Sequence, residues 1–298
     1  MKKLLLVLLL ILFNIYFVLP FDKEKLRVGE CYVVRLVNGD LIEGEIKSFV
    51  SNEDGEGIKF ETELGIGEIF FTQIGDITEC TKYYRNGHKY FLLPSAIGIG
   101  KNHFVGMLEL FFLYAGIGIT DYFSLIAGRS LLPLAYSNQQ LSLINVKGSF
   151  PKIVFEDIFR ELHLAFGGNL GFANNNNRFL HFYGVATAVF YKTSISTCLF
   201  YKMGSEDFYI VRYGINAQEV NYPNGAFGLS LGVDSRLPKY KDIHIIGELW
   251  NIDIARPTHS GLFLGVRISN TTFCSDFGIC LFTQPFVVPF VNFVWTPF

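Results

Sequence analysis

The stretch AFGLSLGVD, residues 226–234, alternates large apolar side chains with small or charged ones. A period of two is the spacing of a β-strand that has one apolar face. The same alternation recurs in three further segments, which are ELHLAFG at 161–167, GLFLGVRIS at 261–269 and FCSDFGICL at 273–281. The sequence therefore predicts an all-β fold.

Two architectures fit such strands, a soluble sandwich whose polar face meets water and a membrane barrel whose apolar face meets lipid. The composition favours the barrel, because only 17% of the 298 residues are charged while 16% are aromatic. The non-apolar faces carry mostly Gly, Ser and Ala, whereas a water-facing sheet would be rich in Lys, Glu and Thr. Turn-forming clusters divide residues 104–298 into about ten to twelve strands. We expect a transmembrane antiparallel β-barrel in which Leu231 faces lipid and Ser230 faces the lumen.

The first twenty residues, MKKLLLVLLLILFNIYFVLP, place two lysines before a long apolar run. This pattern is typical of a secretory signal peptide. Small residues are missing before Phe21, so an uncleaved membrane anchor stays an alternative. The best candidate for a helical span, residues 104–120, contains Glu109 and is shorter than the ~20 apolar residues that a spanning helix needs.

The chain ends in VVPFVNFVWTPF, residues 287–298. A terminal Phe298 after an alternating strand resembles the assembly signal of bacterial outer-membrane barrels, although Asn292 and Thr296 depart from the all-apolar pattern of that signal. The alternating face carries, counted back from the end, Phe298, Thr296, Val294, Asn292 and Phe290. The segments at 90–104, 114–128 and 245–251 also resemble uncharacterised outer-membrane β-barrel proteins of Bacteroidetes-type bacteria. This resemblance implies an outer-membrane location and a barrel fold, and it implies no substrate.

The N-terminal part differs in composition, because residues 21–90 carry 23 charged side chains and residues 91–298 carry only 27. Asn38 and Gly39 lie between two alternating stretches and predict a β-hairpin, since both central residues of a type I′ turn need positive φ. Three more short strands complete a small β domain over residues 24–80. It resembles SH3-like and Sm-like barrels through Leu36, Asn38, Gly39, Ile42, Gly44 and Ile46. A net charge of −5 over residues 21–90 argues against a nucleic-acid partner.

Residues 81–103 are predicted to be a linker that leads into the barrel. Cys31 and Cys80 are expected to form a disulfide, because the first and last strands of a small closed barrel are neighbours and export permits disulfides. Cys274 and Cys280 share a strand face but are six residues apart, about 20 Å along a strand, which is too far for a bond. No cysteine spacing resembles a zinc site, and we expect neither a metal nor a cofactor.

Three charged residues on successive predicted strands, Glu248, Arg267 and Asp276, are expected to face the lumen. An arginine that faces lipid near the midplane costs about 2–4 kcal/mol. We predict an ion network in which Arg267 pairs with Glu248 and Asp276. The alternative is that water in the lumen solvates each of the three charged groups separately.

Three classes of function remain open on the sequence alone. The first is passive passage of small solutes through a polar lumen. The second is a structural or docking role in which the small periplasmic domain binds a protein partner. The third is catalysis, which the sequence disfavours because none of the six histidines lies in a recognisable catalytic motif. We therefore expect a non-enzymatic outer-membrane barrel, with membrane lipid and a periplasmic protein as candidate partners.

Overall fold

The computed structural model describes residues 23–38, 40–62, 64–80, 85–133, 136–155, 161–173, 177–190, 192–204, 206–213, 216–237, 242–269, 273–282 and 286–296. The chain divides into two compact units, Met1–Tyr83 and Tyr84–Phe298. The predicted signal peptide at residues 1–20, Gly39 of the predicted hairpin and the terminal Phe298 lie outside the described residues. Within those ranges, no helix is both long enough and apolar enough to span a membrane.

The first unit contains a five-stranded antiparallel sheet. Its strands are β1 (Cys31–Leu36), β2 (Leu41–Asn52), β3 (Gly55–Thr62), β4 (Gly65–Phe70) and β5 (Ile74–Glu79). The strands lie in the order β4-β3-β2-β1-β5, and a 3-10 turn connects β4 to β5. β1 and β2 form the hairpin that the sequence predicts around Asn38. The predicted two-residue type I′ turn is wrong, because Asn38 does not have positive φ and the amide of Leu36 donates to the carbonyl of Asp40 (2.8 Å), which leaves three residues between the bonded pair.

The core of the first unit is apolar and its surface is charged. Val34, Ile46 and Ile58 are fully buried between the strands. Burial raises the pKa of Tyr32, whose hydroxyl donates a hydrogen bond to the Glu30 carboxylate (3.3 Å). Cys31 and Cys80 are joined by a disulfide, because β1 pairs directly with β5 and so brings the two residues together.

The second unit consists almost wholly of strands. They are β6 (Phe104–Glu109), β7 (Phe112–Gly118), β8 (Phe123–Ser130), β9 (Leu141–Ser149), β10 (Ile153–Val154), β11 (Glu161–Ala173), β12 (Asn177–Val189), β13 (Thr193–Met203), β14 (Phe208–Tyr213), β15 (Asn216–Asn221), β16 (Phe227–Arg236), β17 (Ile243–Asn251), β18 (Ser260–Ser269), β19 (Phe273–Phe282) and β20 (Phe286–Trp295). Twelve of these strands close into one antiparallel barrel in the order β6-β7-β8-β9-β11-β12-β13-β16-β17-β18-β19-β20, with β20 paired to β6. The two-residue β10 extends beside β11, and β14 and β15 form a separate hairpin. The prediction of an even-stranded antiparallel barrel is confirmed.

The two faces of the barrel wall differ in the way that the alternation predicts. Leu231 is 44% exposed on the outer face, whereas its neighbour Ser230 is 1% exposed and points inward. The outer face is apolar around the ring, as shown by exposed Phe166, Leu199, Leu231, Ile245, Leu249, Leu264, Val266, Phe277 and Ile279. A soluble protein rarely exposes so large a contiguous apolar surface, so this band is typical of a barrel that meets lipid.

On the last strand, the face that is counted back from the chain end points into the barrel. Phe290, Asn292, Val294 and Thr296 are buried inside the barrel, and Val287 and Trp295 are exposed outside. Asn292 points inward because its side-chain amide donates to the Asp276 carboxylate on the adjacent strand (2.9 Å). The outer face of β20 is therefore formed by the residues that alternate with these four, among them Val287 and Trp295.

Candidate functional site: the occupied barrel lumen

Part of the segment predicted to be a linker lies inside the barrel. Residues 88–97, called here the plug hairpin, turn back on themselves through a bridge between Lys89 and Pro94. The amide of Tyr90 donates to the carbonyl of Leu93 (2.9 Å), and the amide of Ser95 donates to the carbonyl of His88 (3.1 Å). The interpretation of these residues as a connector is therefore corrected, because they fill the lumen.

Apolar side chains of the plug hairpin pack against the inner wall. Tyr90, Phe91, Leu93 and Ala96 are each at most 2% exposed and belong to one buried cluster with inward-facing wall residues. The Phe91 ring meets the Phe290 ring edge to face, with 4.9 Å between the centroids. A barrel of eight strands is just wide enough for side chains to fill, so twelve strands leave room for such a segment.

Glycines on the inner wall provide some of that room. A Cβ at Gly232 would lie 2.6 Å from Cδ2 of Leu93 and 3.2 Å from the Tyr90 ring. A Cβ at Gly265 would lie 2.7 Å from the Phe91 ring and 2.3 Å from a backbone oxygen. The small inner residues that the sequence shows beside Leu231 and Leu264 thus make space for the plug hairpin.

Glu248 on β17 binds the tip of the plug hairpin. Its carboxylate accepts hydrogen bonds from the amides of Leu92 (2.9 Å) and Leu93 (3.1 Å) and from the indole of Trp250 (2.7 Å). Glu248 is 1% exposed, and an ionised acceptor strengthens hydrogen bonds in such a setting. A single wall carboxylate thereby holds two backbone groups of the plug.

Arg267 on β18 joins the wall to the plug through all five of its N–H donors. Nε and one terminal nitrogen bind both oxygens of Asp276 (2.7 and 2.9 Å), and the other terminal nitrogen binds Asp234 (2.9 Å). The two remaining donors reach the carbonyls of Lys89 (3.2 Å) and Tyr90 (2.9 Å). Arg267 is 3% exposed, so the guanidinium is satisfied entirely by protein oxygens.

The structure brings together two of the three residues of the predicted ion network. Arg267 lies directly opposite Asp276 in the register of β18 and β19. On the other side Arg267 lies opposite His244, whereas Glu248 lies opposite Phe263. Glu248 is thus displaced by four residues, about 13 Å along a strand, from a position where it could pair with Arg267. The network is corrected to Arg267, Asp276 and Asp234, and Glu248 serves the plug backbone instead.

Lys147 on β9 forms the third wall anchor. Its ammonium group donates to the carbonyls of Ser95 (2.9 Å), Ile97 (2.6 Å) and, more weakly, His88 (3.3 Å). Lys147 is 2% exposed, and three plug carbonyls surround its charge. Both arms of the plug hairpin therefore fold around one wall cation.

Hydroxyl groups complete the contact between plug and wall. The amide of Ala96 donates to Oγ1 of Thr187 (2.8 Å), which lies 2.6 Å from Oγ of Ser196. The Tyr90 hydroxyl donates to Oγ of Ser194 (3.0 Å) and lies within hydrogen-bond distance of Ser196 (3.0 Å). Lys89 also pairs with Glu109 of β6. The plug thus has polar partners on strands around the ring.

Aromatic side chains fill the lumen at the other end of β13. There Lys202 donates to the carbonyl of Glu206 (2.6 Å) and to the carbonyl of Tyr222. Its ammonium group lies 4.6 Å from the centre of the Tyr209 ring and 5.1 Å from that of Tyr222. The β14–β15 hairpin thus contributes Tyr209 to a second group of buried side chains, beyond the plug.

In the described residues, one group has the geometry to hold a metal ion, and it consists of Cys31, Glu43 and Cys80 of the first unit. The two sulfur atoms are bonded to each other, so neither is a thiolate that could bind a metal.

Comparisons with known proteins add little to this description. Neither the comparison with protein-family models nor the comparison with curated proteins finds a match. Among solved structures, the chain is similar to one described as a KdgM porin, with 12% sequence identity and a TM-score of 0.37. The similarity covers 65% of this chain and 95% of that one.

Proposed function

We propose that this chain is an outer-membrane β-barrel protein that passes small solutes only when the plug hairpin leaves the lumen. The observation that carries the proposal is the occupied lumen, in which wall side chains bind plug backbone groups at Glu248, Arg267 and Lys147. The barrel is therefore closed to solutes in the structure described here. Passage requires a second conformation, in which the plug hairpin lies outside the lumen.

The outer surface supports a location in a membrane. β16, β18, β19 and β20 have ten residues each, which matches the ~9–11 residues that a tilted strand needs to cross a bilayer. The chain enters β6 beside the end of β20, as expected when an even number of strands starts and ends on one side of the membrane. We assign that side to the periplasm.

The chemistry of the lumen supports passage once the plug is displaced. The polar groups that now hold the plug are Glu248, Arg267, Lys147, Thr187 and Ser196, and water can take over their hydrogen bonds. The two ends of the plug hairpin lie side by side, because Ser95 bonds to the carbonyl of His88. The hairpin can therefore leave through one end of the barrel without threading the chain.

We also propose that the first unit is an SH3-like domain that lies in the periplasm. The sheet order β4-β3-β2-β1-β5 and the 3-10 turn before β5 support the SH3-like assignment. Its disulfide suits an oxidising compartment. Co-purification of the protein with and without residues 24–80 tests whether this domain binds a protein partner.

Solute uptake into proteoliposomes tests the proposal. A variant in which residues 88–97 are replaced by a Gly/Ser linker should admit small sugars, whereas the wild-type protein should not. Gly232→Leu is the matched second variant, because its side chain would occupy the space of Leu93 without shortening the chain. Folding of each protein is checked by its gel mobility before and after boiling. If both variants fold and stay as impermeable as the wild type, the passage proposal is wrong.

A further inference from the structure

The inner wall holds the side chain of one plug residue, Lys89, separately from the anchors that bind the plug backbone. The Lys89 ammonium group pairs with the carboxylate of Glu109, the last residue of β6. It also lies 5.9 Å from the centre of the Tyr114 ring on β7, within the range of a cation–π contact. The side chains of Lys89 and Glu109 are 11% and 7% exposed, so the wall encloses a single ammonium group.

The strand register explains why this part of the wall is polar. Asn292 on β20 lies directly opposite Glu109 on one side and opposite Asp276 of β19 on the other. Asp276 in turn lies opposite Arg267. Opposite residues on one face of antiparallel strands have Cβ atoms about 4.5–5.5 Å apart, so these four side chains form one polar row across the inner wall. Lys89 spans the row, because its carbonyl binds Arg267 at one end and its ammonium group binds Glu109 at the other.

The polar row contains a second buried acceptor beside Glu109. Asn292 is 0% exposed, and its Oδ1 has no hydrogen-bond partner in the described part of the chain. Its Nδ2 donates to Asp276 on β19, so Oδ1 is left on the side of β20 where Glu109 lies. An ammonium group has three N–H donors, and among the described residues Lys89 uses one of them, at Glu109. The wall therefore offers an ammonium group more acceptors than the tethered Lys89 side chain uses.

We propose that Glu109, Tyr114 and Asn292 form a binding site for a primary ammonium group, which the plug hairpin fills with its own Lys89. The carboxylate supplies the opposite charge, the ring attracts a cation, and the amide oxygen accepts a further N–H, which together suit a compact cation with several donors. The ligand class is thus small aliphatic amines, and Lys89 is their tethered competitor. The competitor role rests on the proposed passage, because amines reach the wall when the plug leaves, whereas the site itself exists in the closed barrel.

Emptying the site by Lys89→Ala tests this assignment in the closed barrel, because the substitution removes the tethered ammonium group and leaves the three wall residues in place. Isothermal titration of full-length Lys89→Ala in detergent with methylammonium chloride, against a sodium chloride blank, should show saturable binding. The wild type should bind methylammonium at least about tenfold more weakly, because its tethered lysine competes at a high effective concentration. Lys152→Ala is the matched control, because Lys152 pairs with Glu161 at an exposed position and its removal should create no such site.

Two double variants locate the bound cation. Lys89→Ala with Glu109→Gln should lose methylammonium binding, and Lys89→Ala with Asn292→Leu should bind about fivefold more weakly or worse than Lys89→Ala alone. Gel mobility before and after boiling establishes that each protein is folded. Absence of saturable binding to Lys89→Ala, equal binding by Lys89→Ala and Lys152→Ala, or binding that Glu109→Gln does not diminish overturns the proposal.

A second arm separates the competitor role from the proposed passage. The variant with residues 88–97 replaced by a Gly/Ser linker is placed in a planar bilayer under a gradient of methylammonium chloride, with and without Glu109→Gln. The reversal potential should show a preference for methylammonium over chloride, and Glu109→Gln should reduce that preference. Openings without this preference contradict the competitor role and leave passage itself standing. Absence of any openings contradicts passage, and titration of Lys89→Ala still decides the site.

Discussion

The two units of this chain use the same β alternation with opposite polarity. In the first unit the apolar face, with Val34 and Ile46, lies inside and the charges lie outside. In the barrel the apolar face, with Leu231 and Leu264, lies outside and the charges lie in the lumen. An alternation of period two therefore locates strands in both units. Only the composition of each unit indicates whether the apolar face points into the protein or out toward lipid.

The largest expected effect comes from a charge placed in the core of the first unit. Ile46→Lys puts an unpaired ammonium where the side chain is 0% exposed, which should cost about 4 kcal/mol or more. Hydrogen–deuterium exchange of peptides from residues 31–79 in the full-length protein should show loss of protection. Ile66→Lys is the control, because Ile66 is 61% exposed and should tolerate the change. Equal protection in both variants would contradict the assigned core.

The second effect tests the reversed polarity of the barrel. Leu231→Arg turns a cation toward lipid and should cost about 2–4 kcal/mol near the midplane, seen as a lower urea midpoint of the folded protein in liposomes. Val37→Arg in the first unit is the matched control, because Val37 is 71% exposed there and should leave the midpoint unchanged. A barrel that tolerates Leu231→Arg as well as Val37→Arg does not turn this face toward lipid.

The third effect separates two adjacent leucines of the plug hairpin. Both amides bind Glu248, but Leu93 is 0% exposed against the wall and Leu92 is 40% exposed. Leu93→Asn should weaken plug binding by at least about 2 kcal/mol and give more frequent openings in a planar bilayer. Leu92→Asn should behave as the wild type. Identical records for the two variants would mean that apolar packing does not hold the plug.

The smallest effect concerns the cation around which the plug folds. Lys147→Met leaves the carbonyls of Ser95 and Ile97 without their donor. The net cost should be about 1–2 kcal/mol in total, because loss of the ammonium group also removes the cost of burying its charge. Amides of residues 88–97 should exchange faster, and added methylammonium should partly restore their protection. Lys152→Met removes an exposed lysine that pairs with Glu161 and is the control. If Lys147→Met exchanges no faster than this control, Lys147 does not anchor the plug.

The sequence predicts the wall far better than it predicts the contents of the lumen. Outward residues such as Leu231 and Phe277 follow from period two, and Arg267 and Asp276 could be paired because successive strands place them side by side. Glu248 and Lys147 bind backbone amides and carbonyls, and such partners leave no trace in a side-chain pattern. Residues 90–97, YFLLPSAI, have no period and contain Pro94, so their periodicity does not indicate a lumen segment. The run Phe91–Leu92–Leu93 in a supposed linker was the one available signal.

The face of the last strand shows a related limit of prediction from the sequence. Asn292 and Thr296 alternate with Val294 and Phe290 on a face that mixes polar and apolar residues. Only the position of Asp276 on the neighbouring strand decides that this face points inward, since Asn292 bonds to it. The mixed pattern of the last strand alone therefore does not determine which of its faces points outward.

Single-channel conductance in a planar bilayer tests most directly whether the plug hairpin seals the barrel. The wild-type protein should stay closed for most of the record, and the variant with residues 88–97 replaced by a Gly/Ser linker should give large, steady openings. Gel mobility before and after boiling establishes that both proteins are folded. A wild-type barrel that conducts as steadily as the plug-deleted one would contradict the sealed lumen.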